Sequence, residues 1–116
     1  MKIQYTIHQI ANIASCPYSF MSWDFAIEHG FNFNNHYEQV WKGEYDTEIF
    51  EGKDFYVEDV LERLYEIFNL YIHYHEGYEG HSLSTSDIVE LKIDNFNLGK
   101  YYCDSYGWIR IEDEGR

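Results

Sequence analysis

The chain has 116 residues, and 21 Asp and Glu against 8 Lys and Arg leave a formal net charge of −13. That length suits one domain with one core, and the carboxylate surplus makes phosphate backbones and anionic membrane surfaces repulsive, which argues against direct DNA or RNA binding. Aromatic residues make up 20% of the chain, so core material is plentiful and disorder is not expected.

Lys2 to Ile10 alternates Ile3, Tyr5 and Ile7 with Gln4, Thr6 and His8, the period-two pattern of a strand with one buried face. Asn12 to Pro17 reads as a connection. Ser19 or Ser22 then caps a helix of about ten residues that carries Phe20, Met21, Trp23 and Ile27 and stops at Gly30. After the Asn-rich turn at 32–35, Tyr37 to Gly43 alternates as a second strand, with Gly43 ending it. Glu44 to Asp54 holds five acids and few aliphatics and reads as a solvated loop.

Val57 to Tyr71 is the clearest element. Val57, Val60, Leu61, Leu64, Ile67, Phe68 and Tyr71 fall at i, i+3, i+4 and i+7 spacing, the apolar stripe of an amphipathic helix. Its outer side carries Glu58, Glu62 and Glu66, a like-charge row that costs roughly 0.2–0.5 kcal/mol per pair. Gly77 and Gly80 punctuate the next loop. Asp87 to Ile93 reads as a strand, 94–99 as a hairpin connection into Lys100 to Cys103, and Tyr106-Gly107 as a turn before Trp108 to Ile111. Residues 112–116 form a polar tail. The predicted order is β-α-β-α-β-β-β: a single α+β domain over 1–111, with a mostly antiparallel sheet packed against two helices.

Cys16 and Cys103 are the only cysteines and lack CxxC spacing, and Met1-Lys2-Ile3-Gln4-Tyr5 lacks the apolar core of a signal peptide. No apolar run approaches the roughly 18–20 residues of a membrane span. The expectation is a cytoplasmic protein with two free thiols and no membrane partner.

The blocks Gly80-His81-Ser82-Leu83-Ser84-Thr85-Ser86-Asp87-Ile88-Val89-Glu90-Leu91 and Tyr101-Tyr102-Cys103-Asp104-Ser105-Tyr106-Gly107-Trp108 are too particular in order to be generic strand and turn. Together with Tyr5 to Ile10, Tyr18 to Met21, Tyr37 to Gly43 and Leu61 to Asn69, they resemble the YodL-like domain family. The likeness covers nearly the whole chain. It implies the family's fold and its setting among bacterial mobile genetic elements, near anti-restriction and conjugation functions. It brings no catalytic residue set.

Candidate chemistry is sparse. His73, His75 and His81 with Glu76 and Glu79 are zinc-type ligands, but their spacing matches no established metal motif, so neither metal nor cofactor is expected. Ser82, Ser84 and Ser86 with His81 as base and Asp87 or Asp104 as orienter admit a nucleophile reading. Without a Gly-x-Ser-x-Gly elbow, the plainer reading is hydroxyls bonding local backbone, and no catalytic residue is assigned.

The acidic tract is the stronger feature. From Glu38 to Glu66 ten acids face three cations, a local net charge of −7. Glu58, Glu62 and Glu66 repeat about every 6 Å along a helix, near the spacing of a phosphate ladder. With Glu44, Asp46, Glu48 and Glu51 they form the expected partner-binding acidic face.

Three readings follow. The leading one is a non-enzymatic counter-defence protein of a phage or plasmid, an anti-CRISPR or anti-restriction inhibitor and DNA mimic that occupies the basic groove of a host nuclease. The alternative is a protein-interaction module of conjugation that uses a contact loop of His81, Ser82, Ser84, Ser86 and Asp87 with Asp104, Tyr106 and Trp108 of the C-terminal hairpin. The third is a small hydrolase or metal-dependent enzyme.

Overall fold

The computed structural model describes residues 2–46, 57–70, 77–94 and 96–111. Strand β1 spans Lys2–Ile10, helix α1 Trp23–Glu28, helix α2 Phe33–His36, strand β2 Tyr37–Asp46 and helix α3 Val57–Leu70; β3 (Ile88–Ile93), β4 (Phe96–Cys103) and β5 (Trp108–Arg110) follow. All neighbouring strands pair antiparallel, in the order β2-β1-β3-β4-β5. The chain is therefore α+β, as its pattern predicts.

Strand alternation sorts the apolar residues onto two faces. Ile3, Tyr5, Ile7, Val89, Leu91 and Tyr101 meet the α3 stripe of Val60, Leu61, Leu64 and Phe68 on one side. Ile10, Ile88 and Tyr102 meet Tyr18 and Ala26 on the other, where Trp23, Phe31 and Phe33 close over them. Central β3 buries both Ile88 and Val89, so it reads as a continuous apolar pair and not as a one-sided strand.

Four local expectations are corrected. The first helix has six residues instead of about ten: Ser22, not Ser19, caps it, accepting from Phe25 N at 3.3 Å. Ser19 instead donates to Ile13 O and Cys16 O. The Asn-rich turn is itself a one-turn helix, capped by Asn32 accepting from Asn35 N, so the described residues hold three helices. Strand β2 runs past Gly43 to Asp46, paired with β1 as far as Lys2, and Gly43 is no terminator but makes room for a core tyrosine, since a Cβ there would lie 2.8 Å from Tyr5 Oη. The predicted loop from 44 thus begins as strand, and its remainder at 47–54 lies outside the described residues.

Candidate functional site

The predicted contact loop turns inward. Gln9, at the end of β1, is 2% exposed and Asp87, just before β3, is 1% exposed. Gln9 Nε2 donates to Asp87 Oδ2 at 3.0 Å and to His81 O at 2.9 Å, while Gln9 Oε1 accepts from His81 N at 3.1 Å. Ser84 N also donates to Asp87 Oδ2, at 2.8 Å, and Tyr78 Oη donates to His81 O. One buried amide thus clamps residues 78–87 onto the sheet, and Gly80 is needed because a Cβ there would collide with Gln9 Oε1.

The serines serve the same fold. Ser84 Oγ donates to Ser82 O and Ser86 Oγ accepts from Phe20 N. Phe20 and Ser86 both have positive φ, +62° and +84°, a conformation L residues hold only when their surroundings impose it. Asp104 accepts from Trp23 N at 2.9 Å, which ties the β4–β5 turn to the start of α1. Burial, followed by the negative charges of Asp87, Glu62 and Asp104, pushes the Cys103 thiol up to about 12, far from a reactive range.

The Asp87–His81 pair carries a pH prediction. His81 Nδ1 lies 2.7 Å from Ser82 O and so donates there, which leaves Nε2 facing Asp87 Oδ1 at 3.8 Å. Burial raises the Asp87 carboxyl well above the ordinary carboxylate range, against the lowering effect of the Ser84 and Gln9 donors. The folded state therefore keeps this proton where the unfolded chain has released it. Its contribution to stability is complete below about pH 4 and is lost as pH rises through the folded-state value. Asp87→Asn, whose amide matches the protonated acid, should equal the parent near pH 4 and exceed it at pH 8 in urea unfolding. A parent that stays ahead at pH 8 would contradict this protonation state.

A second group of residues gathers where α3 meets the last hairpin. Trp108 Nε1 donates to Glu62 Oε2 at 2.9 Å, and beside this bond lies a cleft of about 300 Å³ lined by Glu62, Tyr65, Thr85, Asp104, Tyr106 and Trp108 among others. Asp104 N bonds Gly107 O across the turn and Gly107 sits at φ +79°, so the tip is tight and leaves Tyr106 95% exposed. Two carboxylates and three aromatic rings around one cleft suit a guanidinium or ammonium group.

The acidic face is divided. Glu58, Glu62 and Glu66 share the outer side of α3, but Glu62 is held by Trp108 and Glu66 by Arg63. Glu44 and Asp46 lie on β2, and alternation from the core-facing Trp41 and Tyr45 turns them to the opposite sheet face. Glu44 there meets Lys2 and Gln4. Glu48 and Glu51 lie outside the described residues, as do His73, His75 and Glu76. Among the described residues no three His, Cys, Asp or Glu side chains gather as a metal-binding group.

Sequence reasoning missed Gln9 and Glu62's partner. A glutamine following Ile3, Tyr5 and Ile7 in the same alternation was the available signal for the first; the Trp108 bond spans 46 positions and has no local signature.

These features define a small α+β domain, a five-stranded antiparallel sheet with α3 on one face and the α1–α2 region over part of the other, and no described helix long and apolar enough to cross a membrane. Residues 4–113 match the family model of the YodL-like domain, and the chain belongs to that family. No curated protein and no solved structure matches it.

Proposed function

We propose that this is a non-enzymatic, cytoplasmic counter-defence protein of a mobile genetic element, which binds the basic groove of a host nuclease of CRISPR or restriction type and keeps nucleic acid out. The observation that carries this reading is the Trp108–Glu62 bond, which joins the acidic row of α3 to the aromatic hairpin as one surface around the cleft. Because Glu62 and Glu66 have intramolecular partners, the surface is mixed acidic and aromatic instead of a bare ladder of charge. Arginine from a nucleic-acid-binding groove is the side chain such a surface recognises best, through carboxylate pairing and ring stacking.

Binding should weaken steeply with salt, because exposed charges are screened over about 8–10 Å. Reversing Glu58, Glu62 and Glu66 to lysine together is expected to lower affinity for the nuclease captured from the host by about 100-fold or more, since like charges across an interface cost several kcal/mol. Titration calorimetry at two salt concentrations reads both effects. Salt-insensitive binding, or reversal without loss, would remove the proposal.

The exposure of Tyr106 favours a second reading, a regulatory interaction module of conjugation that docks through the hairpin. In that case Tyr106→Ala, not the charge reversal, should give the larger loss, on the order of tenfold. The Ser82–Asp87 stretch, with Leu83, Ser86 and Asp87 buried, would then act by supporting the hairpin and not by touching the partner.

A further inference from the structure

The sheet face turned away from α3 is only partly covered. Past the aromatic cluster of the α1–α2 region it remains open, and a cavity of about 480 Å³ lies over β2, β1 and β3, with Gln4 and Thr6 on its floor. Lys42 stands opposite Thr6 on one side and Lys92 opposite Gln4 on the other. Asp94 and Gln39 complete its rim.

Four features set this cavity apart from a solvated sheet face. In a chain of net charge −13, four of the six described lysines and arginines (Lys2, Lys42, Lys92 and Lys100) stand on this one face. Lys2 and Lys100 reach carboxylates at 4.0 Å, whereas Lys42 and Lys92 have no ion-pair partner among the described residues. Gln4 Oε1 is the one buried side-chain polar atom among the described residues without a hydrogen-bond partner, and its Nε2 is turned to Glu44. Buried acceptors are rarely left unpaired, and because the Gln4 side chain lines the cavity, a turn of its amide toward the opening would give this oxygen a donor there.

The backbone is shaped to the same end. Gln39 and Lys42 are three positions apart and would face opposite sides of a regular strand, yet the irregularity beside Ile7 and His8 brings both to the cavity. Bulges of this kind re-aim side chains beside binding sites.

From these features we infer that the cavity binds a small phosphomonoester carrying hydroxyl or amino donors, of the size of a mononucleotide. Two strands at roughly 4.8 Å and a two-residue offset at roughly 3.3 Å per residue put the Lys42 and Lys92 backbones about 12 Å apart, and their flexible stems converge on one dianion between them. Lysine is well suited to phosphate as a mobile point charge. Sugar hydroxyls then donate to Gln4 Oε1 and to the Asp94 carboxylate, for which no ion pair is seen among the described residues. The volume falls within the roughly 300–1,000 Å³ of small-molecule sites. Glu90 stays out of the contact set, since it is already held by His8 at 3.2 Å and by Lys100.

The test is a titration of the isotope-labelled full chain with ribose 5-phosphate, adenosine 5′-monophosphate and inorganic phosphate, followed by NMR. Ribose 5-phosphate and the mononucleotide should give saturable shifts confined to the amides around Gln4, Thr6, Lys42 and Lys92, with a Kd at or below about 1 mM. Inorganic phosphate should bind at least about tenfold more weakly. Lys42→Gln and Lys92→Gln, both at exposed positions and so without expected loss of folding, should each weaken the sugar phosphate by about tenfold or more. Gln4→Leu should weaken the sugar phosphate while leaving inorganic phosphate unchanged. The inference is overturned if shifts do not saturate, if they map to another face, or if inorganic phosphate binds as tightly as the sugar phosphate.

Discussion

Gln9→Ala should destabilise the protein by about 3 kcal/mol, more than a surface-like glutamine would suggest. The loss has three parts. Asp87 Oδ2 forfeits one of its two donors, His81 N forfeits its acceptor, and a void opens under residues 78–87. A buried polar group left unpaired costs roughly 1–3 kcal/mol, and only part of that is recovered if water enters. Urea unfolding should show a lower midpoint at unchanged slope, the mark of a stability change without a change in the surface exposed. Gly80→Ala should act in the same direction, because its added methyl meets Gln9 Oε1 and must displace it. A loss below about 1 kcal/mol for both variants would mean that the 78–87 segment is held by its apolar anchor Leu83 and that the polar clamp is incidental.

Much of the fold is legible in the residues because it rests on periodicity. The α3 stripe from Val57 to Phe68 and the Ile3, Tyr5, Ile7 alternation both follow from a single apolar face, and each meets the other in one core. Legibility fails where a residue's role is set from far along the chain. Gly43 looks like a strand terminator until Tyr5 is seen beneath it, and Ser82 to Asp87 looks like a contact loop until Gln9, some seventy positions earlier, draws it inward. The acidic tract misleads in another way. Its acids are close in sequence, but α3 covers one face of the sheet while Glu44 and Asp46 of β2 point from the other, so they part from Glu58, Glu62 and Glu66. What replaces the single acidic face is a junction of α3 with the hairpin, and only the pairing of Trp108 with Glu62 reveals it. The cavity over Gln4 and Thr6 was invisible for a related reason: its walls come from three strands, and an irregularity in the pairing of β1 with β2 decides which β2 side chains line it.

Phe68→Ala is expected to cost about 4 kcal/mol and to lower the melting temperature by about 15 °C, within the range for removing a buried phenylalanine from a domain of this size. Phe68 is fully buried, and its ring meets Tyr5 at 5.8 Å, Trp41 at 6.2 Å and Tyr78 at 5.3 Å between centroids. Its neighbours are tyrosine and tryptophan bodies already fixed by polar ends: Trp41 Nε1 donates to Tyr5 Oη, and Tyr78 Oη donates to His81 O. They cannot swing in to fill the space without giving up those bonds, so the void persists. Phe96→Ala, at a position 70% exposed, should change stability by no more than about 0.5 kcal/mol. The backbone extends the effect beyond the core, since Phe68 O accepts from Leu83 N and Asn69 Nδ2 donates to Leu83 O. These bonds tie the end of α3 to the same segment that Gln9 clamps from the sheet. Tyr78 touches both Phe68 and Gln9, so the two sites share a partner and their losses should not add. The double variant Phe68→Ala with Gln9→Ala should fall short of the summed single losses by about 1 kcal/mol. Strict additivity in that cycle would show that the apolar core under α3 and the buried amide clamp are independent supports.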